Sequence, residues 1–253
     1  MSENPPLLRL NDITKNFGSI RALKGASLEV DKGEVLALIG DNGAGKSTLI
    51  KSIVGYHQPT SGEIYWKGEE VHFENPDQAL DQGISIVYQD MELIPSLSVA
   101  RNLFLGKEPR TSLGRLDFDK MYEETQEVLD EIGLSTLSNP ELPAENLSGG
   151  EAQSIKIGRA LHFDAELLIL DEPLRNLSVK ESEKVLNTVE RTKEQGIGTI
   201  YISHNIFNAY EISDRIHLLD QGETMDEFMR DDISGPQDLI EKMKAVAGTG
   251  ATP

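Results

Sequence analysis

Four short apolar runs divide the chain, at residues 35–39, 84–88, 167–170 and 199–203. Each run is apolar on both faces, which is typical of strands in a parallel sheet that helices cover on both sides. The pattern predicts an α/β fold with a mostly parallel sheet. Ligands of such sheets bind outside the carboxyl ends of the strands.

The N-terminal part of the chain follows a different pattern. Apolar and polar residues alternate over residues 7–35, and residues 62–68 form a further short strand pattern between two glycines. The alternating apolar positions are Leu8, Leu10, Ala26, Leu28 and Val30. Alternation of this kind is typical of strands that expose one face. We therefore expect an antiparallel sheet at the edge of the fold.

Helical patterns occupy much of the remaining sequence. One predicted helix covers residues 46–54 and stops at Gly55, and another covers 119–132 and stops at Gly133. No strand pattern occurs between about residues 93 and 165. This stretch therefore predicts a helical insertion in the α/β core.

Polar side chains follow the ends of the four apolar runs. They are Lys46, Gln89, Asp171, Glu172 and His204. The carboxyl ends of parallel strands lie at the same edge of a sheet. We therefore expect these five side chains to converge on one site.

The loop after the first apolar run is the strongest chemical feature. Residues 40–47, called the phosphate loop below, fit the spacing G-x-x-x-x-G-K-[ST] and join a predicted strand to a predicted helix. In such a loop, backbone N–H groups point at phosphate oxygens. Lys46 supplies a positive charge, and the Ser47 hydroxyl can ligate Mg²⁺. The loop predicts a nucleotide phosphate site.

A second glycine-bearing loop, residues 147–151, opens another predicted helix and is called the second glycine loop below. Ser148 and Glu151 have the spacing of a capping box, with the positive end of the helix dipole directed outward. Alone, this feature favours an ordinary helix cap. Together with the phosphate loop it predicts a second place to hold phosphate.

The composition narrows the choice of partners and compartment. The 253 residues include 43 acidic and 24 basic ones, for a net charge of −19. Nucleic acid is disfavoured as the main partner, because phosphate contacts need clustered Lys and Arg. The sequence has no cysteine, no signal-peptide pattern and no apolar run near the roughly 20 residues that cross a bilayer. These features suit a cytosolic protein.

Four motifs together give the chain a family resemblance. GDNGAGKST (40–48), LSGGEAQ (147–153), LLILDEP (167–173) and ISH (202–204) closely resemble the ATP-binding cassette of ABC transporters. The resemblance runs from about residue 7 to 230. It implies a P-loop NTPase core with an N-terminal antiparallel β-subdomain and an inserted α-helical subdomain. The implied boundaries are one domain over 7–235 (core 7–92 and 166–235, helical subdomain 93–165) and a C-terminal helix with a loose tail over 236–253, loose from Gly248.

The resemblance implies ATP and Mg²⁺ as ligands. The residues expected to wrap the phosphates are Gly40, Asp41, Asn42, Gly43, Ala44, Gly45, Lys46, Ser47 and Thr48. Phe17 is expected to stack on the adenine ring. Ser47, Gln89 and Asp171 are expected to hold the metal ion.

The resemblance also implies ATP hydrolysis between two copies. Glu172 is expected to activate the attacking water and His204 to contact the terminal phosphate; with Lys46 and Gln89 they form the expected catalytic set. In the family, two cassettes clasp two ATP molecules head to tail. Ser148, Gly149 and Gly150 are therefore expected to contact the ATP of a second copy or of a paralogous cassette.

One segment departs from the family pattern. After the Asp-Glu pair, many members continue Pro-Thr-x-x-Leu-Asp, whereas here Pro173 is followed by Leu-Arg-Asn-Leu-Ser over residues 174–178. Ser178 can still cap the next helix, with Glu181 three residues later, but it carries no negative charge. The departure leaves open how the two ATP sites communicate.

Residues 87–106, and residues 203–205 followed by 209–215, resemble the equivalent stretches of monosaccharide importers of the ribose, xylose and fructose kind. This implies a peripheral subunit on the cytoplasmic face of the cell membrane. A permease is expected to insert a coupling helix near residues 89–94, with Glu92, Leu93 and Ile94 as lining candidates. An extracytoplasmic sugar-binding protein would be an indirect partner.

Three other functions remain open from the sequence. The chain could energise import of another solute, such as an amino acid. It could be a soluble cassette ATPase acting on ribosomes or DNA, although such proteins need a basic surface. It could also be a regulatory module that binds ATP without turnover, which the altered segment 174–178 leaves open.

Overall fold

The computed structural model describes residues 5–88, 93–137 and 139–249, with side chains as far as residue 246. The strands are β1 (Leu8–Phe17), β2 (Ile20–Val30), β3 (Val35–Ile39), β4 (Ser61–Trp66), β5 (Glu69–Val71), β6 (Ile84–Val87), β7 (Leu167–Asp171), β8 (Gly198–Ser203), β9 (Arg215–Asp220) and β10 (Glu223–Met229). The α-helices are α1 (Lys46–Ile53), α2 (Pro76–Asp81), α3 (Val99–Leu103), α4 (Phe118–Glu131), α5 (Gly149–His162), α6 (Val179–Glu194), α7 (Ile206–Ile212) and α8 (Pro236–Thr249). None of the described helices has the length and apolar character needed to span a bilayer.

The ten strands form one mixed sheet in the order β5-β4-β1-β2-β10-β9-β3-β8-β7-β6. β1 pairs antiparallel with both β2 and β4, and Leu8 lies opposite Val30 on one side and Trp66 on the other. β5 pairs antiparallel with β4. The predicted N-terminal antiparallel sheet is therefore confirmed.

The central strands run parallel, as the apolar runs predict. β3 pairs in parallel with β8 and with β9, and β7 pairs in parallel with β8. Leu38 of β3 thus lies between Ile202 of β8 and His217 of β9. The carboxyl ends of β3, β7 and β8 consequently lie at the same edge of the sheet.

Alternate residues of β3 face opposite sides of the sheet. Leu36 and Leu38 belong to the larger core cluster, which also contains Leu49 of α1. Ala37 and Ile39 belong to a second cluster with residues of α7 and α8. Helices therefore cover both faces of this strand, which explains why the run is apolar throughout.

Strands β9 and β10 are not among the predicted elements. β9 begins with the partly buried Arg215 and contains the buried His217 in an otherwise apolar run. β10 is half-exposed and acidic, and it meets β2 at the single pair Glu223 and Gly25. Neither strand has the clear periodicity on which a strand prediction depends.

The described residues form two compact units. One contains those of Met1–Ile86, Ala165–Glu172 and Lys193–Pro253, and the other those of Val87–Asp164 and Pro173–Thr192. The second unit is helical. Apart from Val87 at the end of β6, the β structure of its described residues consists of two isolated bridges, Ser98–Pro143 and Arg110–Leu116. Its core is built from buried side chains of α3, α4 and α5: Val99, Leu103, Met121, Val128, Leu129 and Ile155.

Most predicted helix boundaries agree with the structure to within a residue. The helix predicted over 119–132 is α4, which begins at Phe118 with Asp117 as its cap. The expectation of a loose tail from Gly248 is wrong at its start, because α8 continues to Thr249. A glycine in a last helical turn costs only about 1 kcal/mol relative to alanine, so it does not by itself end a helix.

Arg215 anchors β9 to the segment before β3. Its guanidinium donates to the two carboxylate oxygens of Glu34 at 2.6 and 2.9 Å, and to Glu227 at 3.0 Å. The neighbouring His217 ring and Arg215 lower the pKa of Glu227 to about 2, while partial burial acts in the opposite direction. Arg215 therefore links three parts of the first unit through charge-assisted hydrogen bonds.

The substitution Arg215→Lys is expected to lower the free energy of unfolding by about 1–2 kcal/mol, because an ammonium group cannot form the two-pronged contact with Glu34. Urea denaturation at pH 7 measures the change. Because the pKa of Glu227 is lowered in the folded state, its stabilisation is complete only above the unfolded value of 4.5, and it is lost progressively as the pH falls to about 2. Arg21→Lys, at an exposed arginine, is the control; equal losses in both variants would contradict the assignment.

Candidate active site

β3 leads directly into the phosphate loop, whose base rests on the end of β9. A Cβ atom on Gly40 would collide with the carbonyl oxygen of Leu219, so only glycine fits there. The Ala44 carbonyl accepts a hydrogen bond of 2.8 Å from the amide of Gly222, in the turn after β9. The shape of the phosphate loop therefore depends on residues far along the chain.

The N-terminus of α1 opens onto the phosphate loop. Its N-cap residue is Gly45, and within this described segment no side chain caps the helix. The Leu49 amide makes the first helical bond, to the Gly45 carbonyl at 2.9 Å. The amides of the first turn, at Lys46, Ser47 and Thr48, are therefore suited to an anionic ligand.

Lys46 places a positive charge inside the phosphate loop. The residue is only 8% exposed, and its Nζ donates to the carbonyl oxygens of Gly40 at 2.6 Å and Asp41 at 3.1 Å. Burial lowers the pKa of Lys46, and the carboxylates of Glu172 and Asp171 act in the opposite direction. The lysine therefore lies within the electrostatic reach of the end of β7.

β7 ends at Asp171, and Glu172 begins the turn that follows. Glu172 has a φ of 50°, a left-handed conformation that is uncommon outside glycine, and its amide donates to the Ile202 carbonyl at 3.0 Å. The change of backbone conformation directs Glu172, because the strand has already ended.

Glu172 and His204 form a close pair. Glu172 Oε1 lies 2.6 Å from His204 Nδ1 and accepts a second hydrogen bond of 3.0 Å from the His204 amide. The Glu172 side chain is 14% exposed and that of His204 is 58% exposed. A carboxylate held at a fixed position beside an accessible imidazole is suited to general acid–base chemistry.

Tyr201 lies in β8, next to this pair, and sequence reasoning did not single it out. Its side chain is fully buried, and its hydroxyl has no hydrogen-bond partner among the residues that the structure describes. Burial strongly raises the pKa of Tyr201, and the charges of Glu172 and Glu211 add to the effect. The phenol therefore stays neutral and is not a proton carrier at neutral pH.

Phe17 lies at the end of β1 and is 43% exposed. The His57 ring meets it edge-on at 5.0 Å between centroids, and Lys15 Nζ lies 5.1 Å from its centre. Burial lowers the pKa of His57, and Lys15 and Lys51 contribute in the same direction. An exposed aromatic ring beside a cation can stack on a planar base.

The second glycine loop belongs to the helical unit. Ser148 caps α5, accepting from the Glu151 amide at 3.3 Å, and Glu151 accepts from the Ser148 amide at 2.9 Å. The predicted capping box is confirmed. Lys184 of α6 pairs with Glu151 at 2.8 Å.

Two predicted site positions, Gln89 and Glu92, lie outside the described residues. Of the other two candidates for a permease contact, Leu93 packs against the core of the helical unit, and Ile94 is partly exposed. Ile94 is held by hydrogen bonds between its backbone and the side chain of Asn102, at 2.7 and 3.0 Å.

The segment that carries these loops matches a known family. Residues 23–175 match the sequence model of the family described as "ABC transporter". This chain belongs to the ABC transporter family. The matched residues include the phosphate loop, the second glycine loop, and both Asp171 and Glu172.

Individual members of the family are similar over most of this chain. The xylose/arabinose import ATP-binding protein XylG of Sulfolobus acidocaldarius is 44% identical over 216 residues, which are 85% of each protein. The ribose import ATP-binding protein RbsA 2 of Streptomyces avermitilis is 40% identical over 233 residues, which are 90% of this chain and 46% of that protein. This chain thus spans about half the length of the ribose relative and most of the xylose/arabinose relative.

Solved ABC transporter cassettes share the fold. A dimeric, post-hydrolysis state of the ATP-binding cassette MJ0796, bound to ADP and Pi, superimposes with a TM-score of 0.72 at 27% identity, covering 88% of this chain and 98% of that one. A nucleotide-free ATP-binding cassette from an ABC transporter gives a TM-score of 0.79 at 25% identity, covering 98% and 100%. The predicted α/β cassette fold is confirmed.

Proposed function

We propose that this chain is the ATP-hydrolysing subunit that energises monosaccharide uptake by an ABC importer. The observation that carries the proposal is the arrangement at the carboxyl edge of the sheet. There Lys46 is buried in a phosphate loop that follows β3, and Glu172, which follows the parallel strand β7, is paired with His204. Two similar proteins are named as ATP-binding proteins for import of xylose and arabinose and of ribose, and these names support a monosaccharide as the transported solute.

ATP binding is assigned to the phosphate loop and the first turn of α1. Phosphate oxygens would accept hydrogen bonds from the amides of Lys46, Ser47 and Thr48. They would also replace the two carbonyls that the Lys46 ammonium now contacts at 2.6 and 3.1 Å. Gly40 to Gly45 shape the loop, and the Phe17 ring is assigned to the adenine.

The residues present fit a magnesium ion. The described residues contain no group of three histidine, cysteine, aspartate or glutamate side chains that could hold a metal by themselves. Mg²⁺ usually takes only one or two protein ligands and completes its shell with water and phosphate oxygens. The Ser47 hydroxyl and the Asp171 carboxylate would supply the protein ligands, with Gln89 as a third. When bound, the ion neutralises charge on the phosphates.

Hydrolysis is assigned to Glu172. A water molecule attacks the γ-phosphorus and transfers a proton to the Glu172 carboxylate, as the bond between that phosphorus and the bridging oxygen breaks and ADP leaves with the bond electrons. His204 Nδ1 and the His204 amide both hold Glu172 Oε1, so the base is positioned before the reaction. The other ring nitrogen of His204, Nε2, is assigned to the terminal phosphate.

The proposal includes closure of two copies around ATP. The second glycine loop, with its capped helix N-terminus, would meet the phosphates bound by a second copy or by a paralogous cassette. The dimeric state described for the similar cassette MJ0796 supports this arrangement. The permease contact is assigned to the segment 89–94, at the cytoplasmic face of the membrane, and a sugar-binding protein would act outside.

The test of the proposed function is whether a membrane permease encoded in the neighbouring open reading frames co-purifies with this chain. We expect a tagged permease to retain the chain. Proteoliposomes that contain both, supplied with the sugar-binding protein, should accumulate a labelled pentose only when MgATP is present. A complex made with Glu172→Gln should form equally well but accumulate no sugar. Failure to associate with any neighbouring permease, together with tight RNA or DNA binding at physiological salt, would favour the soluble alternative instead.

A further inference from the structure

The first turn of α6 lies against the second glycine loop. The Glu181 carboxylate accepts a hydrogen bond of 3.0 Å from the Gly149 amide. Its other oxygen accepts from the Ser178 amide at 2.9 Å and from the Ser178 hydroxyl at 2.7 Å. One carboxylate therefore caps α6 and also contacts the N-terminus of α5.

The approach of the two helices is close enough to require glycine. A Cβ atom on Gly150 would lie 2.8 Å from the Glu181 carbonyl oxygen and 3.1 Å from the Glu181 Cα. The Glu181 backbone is thus packed against the loop, and its side chain reaches Gly149 from a fixed position. The packing of the two helix termini therefore fixes the contact between Glu181 and Gly149.

Hydrogen bonds from neighbouring groups stabilise the negatively charged form of Glu181. Hydrogen bonds from Ser178, together with those from the Gly149 and Gly150 backbone, lower the pKa of Glu181. Unlike Glu151, which pairs with Lys184, Glu181 forms no ion pair with a lysine or arginine among the described residues. Its negative charge therefore faces the helix N-terminus without a cation beside it.

The residue at position 178 permits this arrangement. The Ser178 hydroxyl donates to Glu181, whereas an aspartate, common at this position in the family, could only accept hydrogen bonds and would repel a second carboxylate. The departure of this chain at residue 178 is therefore linked physically to the position of Glu181.

We propose that Glu181 is a further affinity-determining residue of the ATP site. Its carboxylate competes with the phosphates held by the second copy for the Gly149 amide, and so sets the ATP concentration at which two copies close. The inference rests on the proposed function, because it requires phosphate to approach the second glycine loop. A helix N-terminus that already faces an anion attracts a second anion less strongly.

The test is an ATP titration of dimer formation by analytical ultracentrifugation, with every protein carrying Glu172→Gln to block hydrolysis. Adding Glu181→Gln removes the charge but keeps an oxygen that can accept from Gly149. We expect the half-saturating ATP concentration to fall about threefold to tenfold, since a symmetric dimer contains two such contacts. The difference should shrink in about 1 M salt, which screens charge but not packing.

Glu183→Gln is the matched control, because it removes an equal charge from an exposed position in the same helical turn. It should leave the half-saturating concentration within about twofold of the parent. If Glu181→Gln unfolds at a lower temperature than the parent, Glu181→Asp replaces it. Aspartate keeps the charge and withdraws it by one methylene group, and should lower the half-saturating concentration by a smaller factor.

Two contrary results have different meanings. If the dimer forms but Glu181→Gln and Glu183→Gln have the same half-saturating concentration as the parent, the role of Glu181 is overturned and the ATP-driven closure stands. If no protein dimerises at any ATP concentration, even with the permease present, the closure assigned under the proposed function fails and the role of Glu181 fails with it.

Discussion

Replacing Glu172 with glutamine is expected to slow steady-state ATP turnover by about 10²–10⁴-fold, the range attributed to a positioned general base. Glutamine has nearly the same size and keeps an oxygen that can accept from the His204 amide, so the local structure should be retained. What it loses is the capacity to take a proton from water. Phosphate release under saturating MgATP measures the rate.

Measuring ATP affinity distinguishes a loss of the catalytic base from a loss of ATP binding or of folding. ATP affinity of Glu172→Gln should be unchanged or tighter than that of the wild type, as measured by equilibrium dialysis. Glu211→Gln is the control, since Glu211 is exposed on α7 and near the same part of the sheet. Turnover that persists at the wild-type rate in Glu172→Gln would exclude Glu172 as the base.

Replacing Lys46 with alanine should weaken ATP binding by about 10²-fold or more. The ammonium group is expected to form two or more charge-assisted hydrogen bonds to phosphate oxygens, each contributing about 1.5–3 kcal/mol. The group is already buried in the phosphate loop, so little ordering is needed when the nucleotide binds. Isothermal calorimetry with ATP measures the affinity.

Lys32→Ala provides the comparison, because Lys32 is an exposed lysine in the turn between β2 and β3. It should bind ATP with wild-type affinity. Circular dichroism should show both variants folded. If Lys46→Ala binds ATP with wild-type affinity, the phosphate loop is not the ATP site. The proposed function, which requires ATP to bind there, would then fail as well.

The strands at the centre of the sheet are predictable because local and tertiary preferences agree there. Val35 to Ile39 are all buried, so no polar residue interrupts the run. β9 is different: Arg215 is partly buried and His217 is buried, and Glu34, Glu227 and Thr224 supply polar partners for them. A polar residue whose partner is distant in sequence gives no local strand signal.

The site residues likewise differ in whether their positions can be predicted from local sequence or depend on residues distant in the chain. Lys46 belongs to a motif with fixed spacing, so its position follows from the sequence. The spacing of Ser178 and Glu181 predicts a helix cap, and the structure contains it. The contact of Glu181 with Gly149 cannot be read from that spacing, since it arises when α6 packs against a loop about 30 residues earlier.

The dependence of the phosphate loop on the end of β9 has a consequence for biogenesis. Gly40 fits beneath the Leu219 carbonyl, and Gly222 bonds both to Ala44 and, through its own carbonyl, to the Lys24 amide. A ribosome makes residues 219–222 long after the loop has left the exit tunnel. The base of the phosphate loop is therefore completed only after residues 219–222 have been synthesised and have packed against Gly40 and Ala44.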